Sequence, residues 1–229
     1  MDISSQQSYD KGAPKRSEAA RVVAGGSLAE GIVGAAAIVL SILGLVGIVP
    51  FLMLYIATIA VGAALLFEGG AISSRISSLI AQSPSQRSDI EQIGSGMTAE
   101  FLAGAVGLAL GILALLGIAP ITLVSIASIV YGGALIMGGS VTAKINSLTF
   151  ESGYEGETAR SVAREAVKAA SGVQVLIGIG AVVLGILALL EIAPVTLVLV
   201  SMLALGFADL LSGGAVGGRM LSVFRRDFK

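Results

Sequence analysis

The chain has no cysteine and no histidine among its 229 residues. Their absence excludes disulfides, Cys/His zinc sites, activated thiols and imidazole acid–base catalysis. Charged residues make up only 13% of the chain and the net charge is -1, so the excess of Lys and Arg that phosphate binding requires is missing. We therefore expect a protein that is not an enzyme, binds no nucleic acid and uses neither a metal nor a cofactor.

Apolar residues dominate the rest of the composition. They account for 55% of the chain, and the mean hydropathy is +0.94, well above the usual range of soluble domains. Residues 1–30 are polar and show no signal-peptide pattern, so we expect insertion to use the internal apolar segments. The composition predicts an integral membrane protein surrounded by membrane lipids.

One apolar phrase recurs along the sequence. "GILALLGIAP" at 111–120 returns as "GILALLEIAP" at 185–194 and, in weaker form, as "SILGLVGIVP" at 41–50. The three prolines of these phrases are 70 and 74 residues apart (Pro50, Pro120 and Pro194). We divide the single membrane domain, 1–229, into a polar tail, three repeats and a basic tail (1–15, 16–79, 87–148, 160–222 and 223–229).

Each repeat predicts a helical hairpin. About 19 apolar residues precede each proline and about 17 to 20 follow it, whereas a helix needs roughly 17 to 25 residues to cross a bilayer. Proline disfavours helix at the residue before it, so Val49, Ala119 and Ala193 are expected outside the α region, in a tight turn. The predicted fold is an all-α membrane protein with six transmembrane helices in three tandem hairpins, a pseudo-threefold repeat with short interfacial helices ahead of the hairpins.

The distribution of charge predicts the orientation. All 14 Lys and Arg residues lie in the termini or between the hairpins, and none lies in a proline turn. The positive-inside rule then places both termini and both connections in the cytoplasm and the proline turns outside. Glu191 marks a turn at the far water interface. Arg160, Arg164 and Lys168 step by four and predict a helix on the inner leaflet that contacts lipid headgroups, with a docking site for a cytoplasmic partner as the alternative.

Small residues recur on one face of each predicted helix. In the first helix of each hairpin they follow a 3-4-3 spacing, and in the second helix one glycine stands twelve residues after the proline. Close approach over small residues supplies packing energy between helices in lipid, so we expect these positions to form helix contacts and to support self-association into a homo-oligomer. The glycines concerned are Gly34, Gly44, Gly104, Gly107, Gly111, Gly178 and Gly185 in the first helices, and Gly62, Gly132 and Gly206 in the second helices.

Two acidic residues, Glu68 and Asp209, stand inside predicted spans. Charges at membrane depth are costly and often functional, so they are candidates for a proton or cation pathway. The alternative, which the sequence favours, is that each side chain extends to the water interface or pairs with a cytoplasmic Arg. Leu65 and Leu135 occupy the positions that correspond to Asp209.

The repeated "GILALLxIAPxTLV" hairpin with its Gly-Gly exit resembles the short repeats of the HdeD-like proteins. The resemblance covers all three hairpins and implies a six-span protein of the prokaryotic inner membrane, without known enzymatic activity, in a family named for acid resistance. It supplies no catalytic or ligand-binding residues.

Three functions remain open from the sequence. The favoured one is a non-enzymatic structural, membrane-organising or stress role, similar to acid resistance, that acts through helix packing or self-association. The first alternative is a small ion or proton channel, or a proton-linked transporter, that uses Asp209 and Glu68. The second alternative is an intramembrane hairpin wedge that shapes the bilayer.

Overall fold

The computed structural model describes the backbone of residues 13–80, 87–149 and 157–224, and the side chains of 28–69, 99–138 and 172–213. This part of the chain consists of helices and the turns between them. It forms six helices: α1 (Ala13–Leu45), α2 (Pro50–Ile80), α3 (Arg87–Leu115), α4 (Pro120–Thr149), α5 (Glu157–Leu189) and α6 (Pro194–Phe224).

The helices of each pair, α1–α2, α3–α4 and α5–α6, are joined by a turn of four residues. A proline follows each turn and begins the next helix. In the first turn, the N–H of Ile48 donates to the carbonyl of Leu43 (2.9 Å) and the N–H of Gly47 donates to that of Gly44 (3.1 Å). These two bonds are the pattern of the Schellman motif, which satisfies the last carbonyls of a helix. Corresponding bonds recur in the other two turns, so one local device ends α1, α3 and α5.

The residue before each of the three turn prolines lies outside the right-handed α region, as the sequence predicts. Val49, Ala119 and Ala193 have φ angles of 42°, 37° and 41°. They adopt the left-handed conformation rather than the extended one that usually precedes proline. The carbonyl of Val49 accepts the N–H of Met53 (3.1 Å), so this residue caps the next helix while proline occupies the first helical position.

The six helices form a closed arrangement. α1 packs against α2 and α6, α3 packs against α2 and α4, and α5 packs against α4 and α6. The three helices that follow the prolines (α2, α4 and α6) also contact one another, so they form the inner part of the bundle. One cluster of buried side chains, among them Leu54, Tyr131 and Leu199, fills the space between them.

Three close glycine contacts join helices of different hairpins. A Cβ atom added to Gly132 would lie 2.5 Å from the carbonyl oxygen of Gly178, and one on Gly104 would lie 2.8 Å from that of Gly62. A Cβ atom on Gly206 would lie 2.9 Å from the carbonyl oxygen of Gly34. Only hydrogen side chains permit such backbone approach.

The remaining glycines of the predicted contact faces also meet other helices. Gly107 lies under the ring of Tyr131, and Gly44 lies against Leu199. A Cβ atom on Gly111 would meet Ile59 at 2.8 Å, and one on Gly185 would meet Ile129 at 2.7 Å. The small-residue positions therefore lie at helix crossings inside this chain.

Five helices are long and apolar enough to cross a membrane, the pattern of a multi-pass membrane protein. Their apolar windows are Leu28–Leu45, Pro50–Gly69, Pro120–Gly138, Gly172–Leu189 and Pro194–Gly213, and α3 carries a shorter one, Ala99–Leu115.

The polar segments ahead of the hairpins do not form the separate interfacial helices that the sequence predicts. In α1, α3 and α5 the helix runs without a break from the polar segment into the apolar window. No proline interrupts the helix between the two parts, so the backbone hydrogen bonds continue and the polar segment extends the same helix. The backbone of Arg160, Arg164 and Lys168 belongs to α5, and their side chains lie outside the described residues.

Candidate functional site

Four of the described acidic side chains are buried in the bundle: Glu30 of α1, Glu68 of α2, Glu100 of α3 and Asp209 of α6. Their exposed fractions are 3%, 8%, 3% and 2%. Each of them is close enough to at least one of the others to interact with it electrostatically. We call this group the acidic cluster.

The acidic cluster lies far from the proline turns. Asp209 stands fifteen residues after Pro194 and Glu68 stands eighteen after Pro50. At ~1.5 Å per residue, these distances along the helix are about 22 and 27 Å. A hydrocarbon core is about 30 Å thick, so the cluster lies within the apolar windows, near the end of each window away from the turns. The helices continue beyond it.

Glu30 and Asp209 meet where α1 contacts α6. A Cβ atom on Gly34, one turn beyond Glu30, would lie 2.9 Å from the Cβ of Asp209. Neither Oε1 of Glu30 nor Oδ2 of Asp209 has a hydrogen-bond partner among the described residues. Buried polar atoms without a partner are rare in proteins and costly, so these two oxygens indicate a group that serves a purpose other than packing.

Glu68 has a local partner. The hydroxyl of Ser212 on α6 donates a hydrogen bond to Oε1 of Glu68 (2.8 Å). Ser212 stands at the same distance from its proline as Glu68 does, so this bond joins corresponding positions of two repeats. The same hydroxyl lies beside Glu30. Because one hydroxyl donates one proton, it cannot satisfy two ionised carboxylates.

Glu100 depends on a glycine of the neighbouring helix. Its Oε1 occupies the place where a Cβ atom would stand on Gly138 of α4. Any larger residue at 138 would displace this carboxyl group. The glycine therefore positions Glu100 inside the bundle.

No cationic side chain lies within the described segments that surround the acidic cluster. None of the 14 Lys and Arg residues falls within 28–69, 99–138 or 172–213. Charged side chains buried without compensation cost several kcal/mol each. Among these same segments, no three acidic side chains are arranged to hold a metal ion.

The side chains of Glu68 and Asp209 are both buried between helices. Pairing with a cytoplasmic Arg stays a prediction, because the Lys and Arg side chains lie outside the described residues. Asp209 is the more deeply buried of the two, and it stands at the position that Leu65 and Leu135 occupy in the other repeats.

Sequence reasoning did not identify Glu30 and Glu100 as members of the site. Each stands twenty residues before its proline, in the polar segment ahead of the predicted span. The signal that could have found them is their recurrence, since Gln174 completes the set in the third repeat. Glu30 lies inside the apolar window of α1.

Glu191 lies in the turn between α5 and α6, and its side chain is exposed. It occupies the position of Gly47 and Gly117 in the other two turns and has a φ angle of 61°. Its carboxyl group is remote from the acidic cluster along the helices. The structure thus brings Glu68 and Asp209 together and leaves Glu191 at the turn.

Between the acidic cluster and the turns, the inner helices are tightly packed. Tyr131 is fully buried, and its hydroxyl donates to the carbonyl of Thr58 (2.8 Å). Ser128 and Ser201 pair through their hydroxyls at 2.5 Å. Nearer the turns, Leu54, Val124 and Val198 are buried with an exposed fraction of 0% each. Within the described segments, an apolar layer separates the polar groups from the turns.

No protein-family model matches the chain, and no curated protein and no solved structure matches it either.

Proposed function

We propose that the protein is a non-enzymatic, multi-pass membrane protein that binds protons at the acidic cluster. The observation that carries this proposal is the burial of four carboxyl groups from four helices without a cation in the described segments around them. Acidic side chains within membrane spans are costly and usually functional, so four buried carboxyl groups indicate a function other than packing. Bound protons remove the charge.

Protons are favoured over metal ions as the ligand. A hard cation such as Ca²⁺ needs six or more oxygen ligands around one point, and the described residues hold no group of three acidic side chains arranged for a metal. A proton needs only one carboxyl oxygen. The two partnerless oxygens, on Glu30 and Asp209, are therefore better suited to protonation than to coordination.

The packed core supports a binding role over a permanent channel. The fully buried Leu54, Val124 and Val198 fill the inner helices between the acidic cluster and the turns. This agrees with a structural or acid-stress role in which protonation controls how the helices pack. The HdeD-like resemblance implies a role of the same kind.

The lengths of the apolar windows support three membrane-spanning hairpins over a wedge. Five of the described helices have windows of 18 to 20 residues, and at ~1.5 Å per residue these extend about 27–30 Å, close to the ~30 Å hydrocarbon core. The contacts between successive hairpins support a pseudo-threefold bundle. We place its termini in the cytoplasm of a prokaryotic cell, because all Lys and Arg residues lie away from the proline turns.

Infrared difference spectroscopy tests the proposal. The purified protein in lipid vesicles is stepped between acidic and alkaline pH while the C=O stretching band of protonated, buried carboxylic acids is recorded. We expect a pH-dependent band that decreases in Asp209→Asn and in Glu30→Gln and is unaffected in Glu191→Gln, the exposed control. A band that is the same in wild type and in the variant with all four cluster residues neutralised would refute proton binding at this site.

Ion flux separates binding from transport. In vesicles with an imposed proton gradient and potential, we expect the wild-type protein to add no proton flux, because the inner helices are packed. Flux that disappears in Asp209→Asn would instead assign the protein to the proton transporters.

A further inference from the structure

The contact between α1 and α6 differs from the other contacts between hairpins. The α2–α3 and α4–α5 contacts join helices that follow each other in the chain, whereas α1 and α6 are the first and last described helices. We call this contact the α1–α6 seam. Gly34 and Gly206 form its closest approach.

Glu30 and Asp209 lie on the two sides of this seam. Glu30 stands four residues before Gly34 and Asp209 stands three residues after Gly206, so each shares a helix face with the contact glycine. Among the described residues, Oε1 of Glu30 and Oδ2 of Asp209 are the buried carboxyl oxygens without a hydrogen-bond partner. When both groups are ionised, their repulsion acts across the α1–α6 seam.

The corresponding contact between α4 and α5 carries no acid at these positions. Gln174 stands where α1 has Glu30, and Leu135 stands where α6 has Asp209. Its glycine approach, Gly132 on Gly178, is closer than that of the seam. This contact therefore provides an internal control: it also joins two helices through paired glycines, but it lacks the charges.

Other titratable groups face the seam from neighbouring helices. Glu68 of α2 and Glu100 of α3 interact electrostatically with Glu30, and Tyr131 of α4 interacts with Asp209. Ser212 of α6 shares its hydroxyl between Glu30 and Glu68. Ionisation of any carboxyl in the acidic cluster therefore adds negative charge beside the seam.

We infer that ionisation of the acidic cluster opens the α1–α6 seam at the end away from the turns and that protonation closes it. Opening admits water to the carboxylates and relieves their repulsion. No loop connects α1 to α6, so separation costs only the seam's packing. At the other end, Gly44 on Leu199 holds the helices together. The inference rests on the proposed proton binding.

Spin-label distances test the inference. Ile32 and Leu211 lie on the two sides of the seam, and Leu176 and Met137 are the corresponding residues of α5 and α4. Their exposed fractions are 70%, 50%, 69% and 52%, so labels fit at all four positions. The chain has no native cysteine, and each double-cysteine variant therefore carries only the chosen pair of labels.

Raising the pH of labelled protein in lipid vesicles should lengthen the Ile32–Leu211 distance by about 2 Å or more, the scale of helix shifts at packed interfaces. The Met137–Leu176 distance should stay constant. Asp209→Asn should abolish the shift. Glu30→Gln, which installs the residue that α5 carries at this position, serves as the second variant if Asp209→Asn does not fold.

Two outcomes overturn the seam inference while leaving the proposed function intact. Equal changes in both pairs would indicate general loosening, and a constant seam distance while the infrared carboxyl band titrates would show proton binding without opening. Absence of the band itself would refute the proposed function, and the seam inference with it. The infrared measurement on the labelled samples therefore distinguishes the two failures.

Discussion

The turn between α5 and α6 contains a strained residue that its counterparts avoid. Glu191 has a φ angle of 61°, whereas the corresponding Gly47 and Gly117 have φ angles of 94° and 85°. The left-handed conformation costs a residue with a Cβ atom roughly 1–2 kcal/mol. Glycine removes that cost but gains conformational entropy in the unfolded chain, which offsets about 0.4–1 kcal/mol. We expect Glu191→Gly to raise the free energy of unfolding by about 0.5–1 kcal/mol.

The reverse substitution should have the opposite effect. A Cβ atom on Gly117 would meet nothing within 4 Å, so Gly117→Ala tests the backbone conformation alone. We expect it to lower the free energy of unfolding by about 0.5–1 kcal/mol. Gly133 provides the control: it is also surrounded by open space, but it lies inside α4 with ordinary helical geometry. Gly133→Ala should stabilise the helix by about 0.5–1 kcal/mol.

Equilibrium unfolding of the three variants in mixed micelles, followed by circular dichroism, measures these differences. The turn interpretation predicts opposite signs for Gly117→Ala and Gly133→Ala. Lower stability of Glu191→Gly, or equal stability of the two alanine variants, would refute it. Since all three substitutions lie outside the acidic cluster, the infrared carboxyl band should not change.

Three further predictions concern packing, the core and topology. Gly132→Ala should lower the free energy of unfolding by about 1–3 kcal/mol in the same assay, because its Cβ atom would overlap the α5 backbone. Tyr131→Phe should cost about 1 kcal/mol through loss of the hydrogen bond to Thr58, without changing the helix content measured by circular dichroism. A cysteine at Ser83 should resist an impermeant thiol reagent outside intact cells, whereas one at Glu191 should react.

Each of these predictions has a contradicting result. Unchanged unfolding of Gly132→Ala would mean that α4 and α5 are further apart than the glycine contact implies. A Tyr131→Phe variant as stable as wild type would show that the hydrogen bond from Tyr131 to Thr58 does not stabilise the fold. Labelling of Ser83→Cys from outside would contradict the predicted topology and indicate the opposite orientation.

Local sequence patterns were enough to predict the helices and the turns. The residues from Gly47 to Pro50 contain a left-handed glycine and a proline, and these two backbone preferences end one helix and begin the next. The glycines such as Gly62 and Gly132 stand on the faces where helices meet, because only small residues let backbones approach closely. The helical spacing of the small residues is visible within a single segment of the sequence, so it can be recognised without knowing which helix that segment contacts.

The composition of the acidic cluster was decided only by the tertiary structure. Whether Glu30 meets Asp209 depends on the closure of α1 onto α6, a contact between the two ends of the helical array that no local pattern specifies. The depth of each carboxyl group likewise depends on which helix covers it. Glu68, near the end of its apolar window, can reach water in an isolated hairpin. In the bundle α6 covers it and Ser212 supplies its hydrogen bond. The sequence alone determined where each helix meets its proline turn and which of its faces can approach another helix closely, since those properties follow from backbone preferences and side-chain size. Burial and proximity of charges are properties of the assembled bundle, because they depend on neighbours that are distant in the chain.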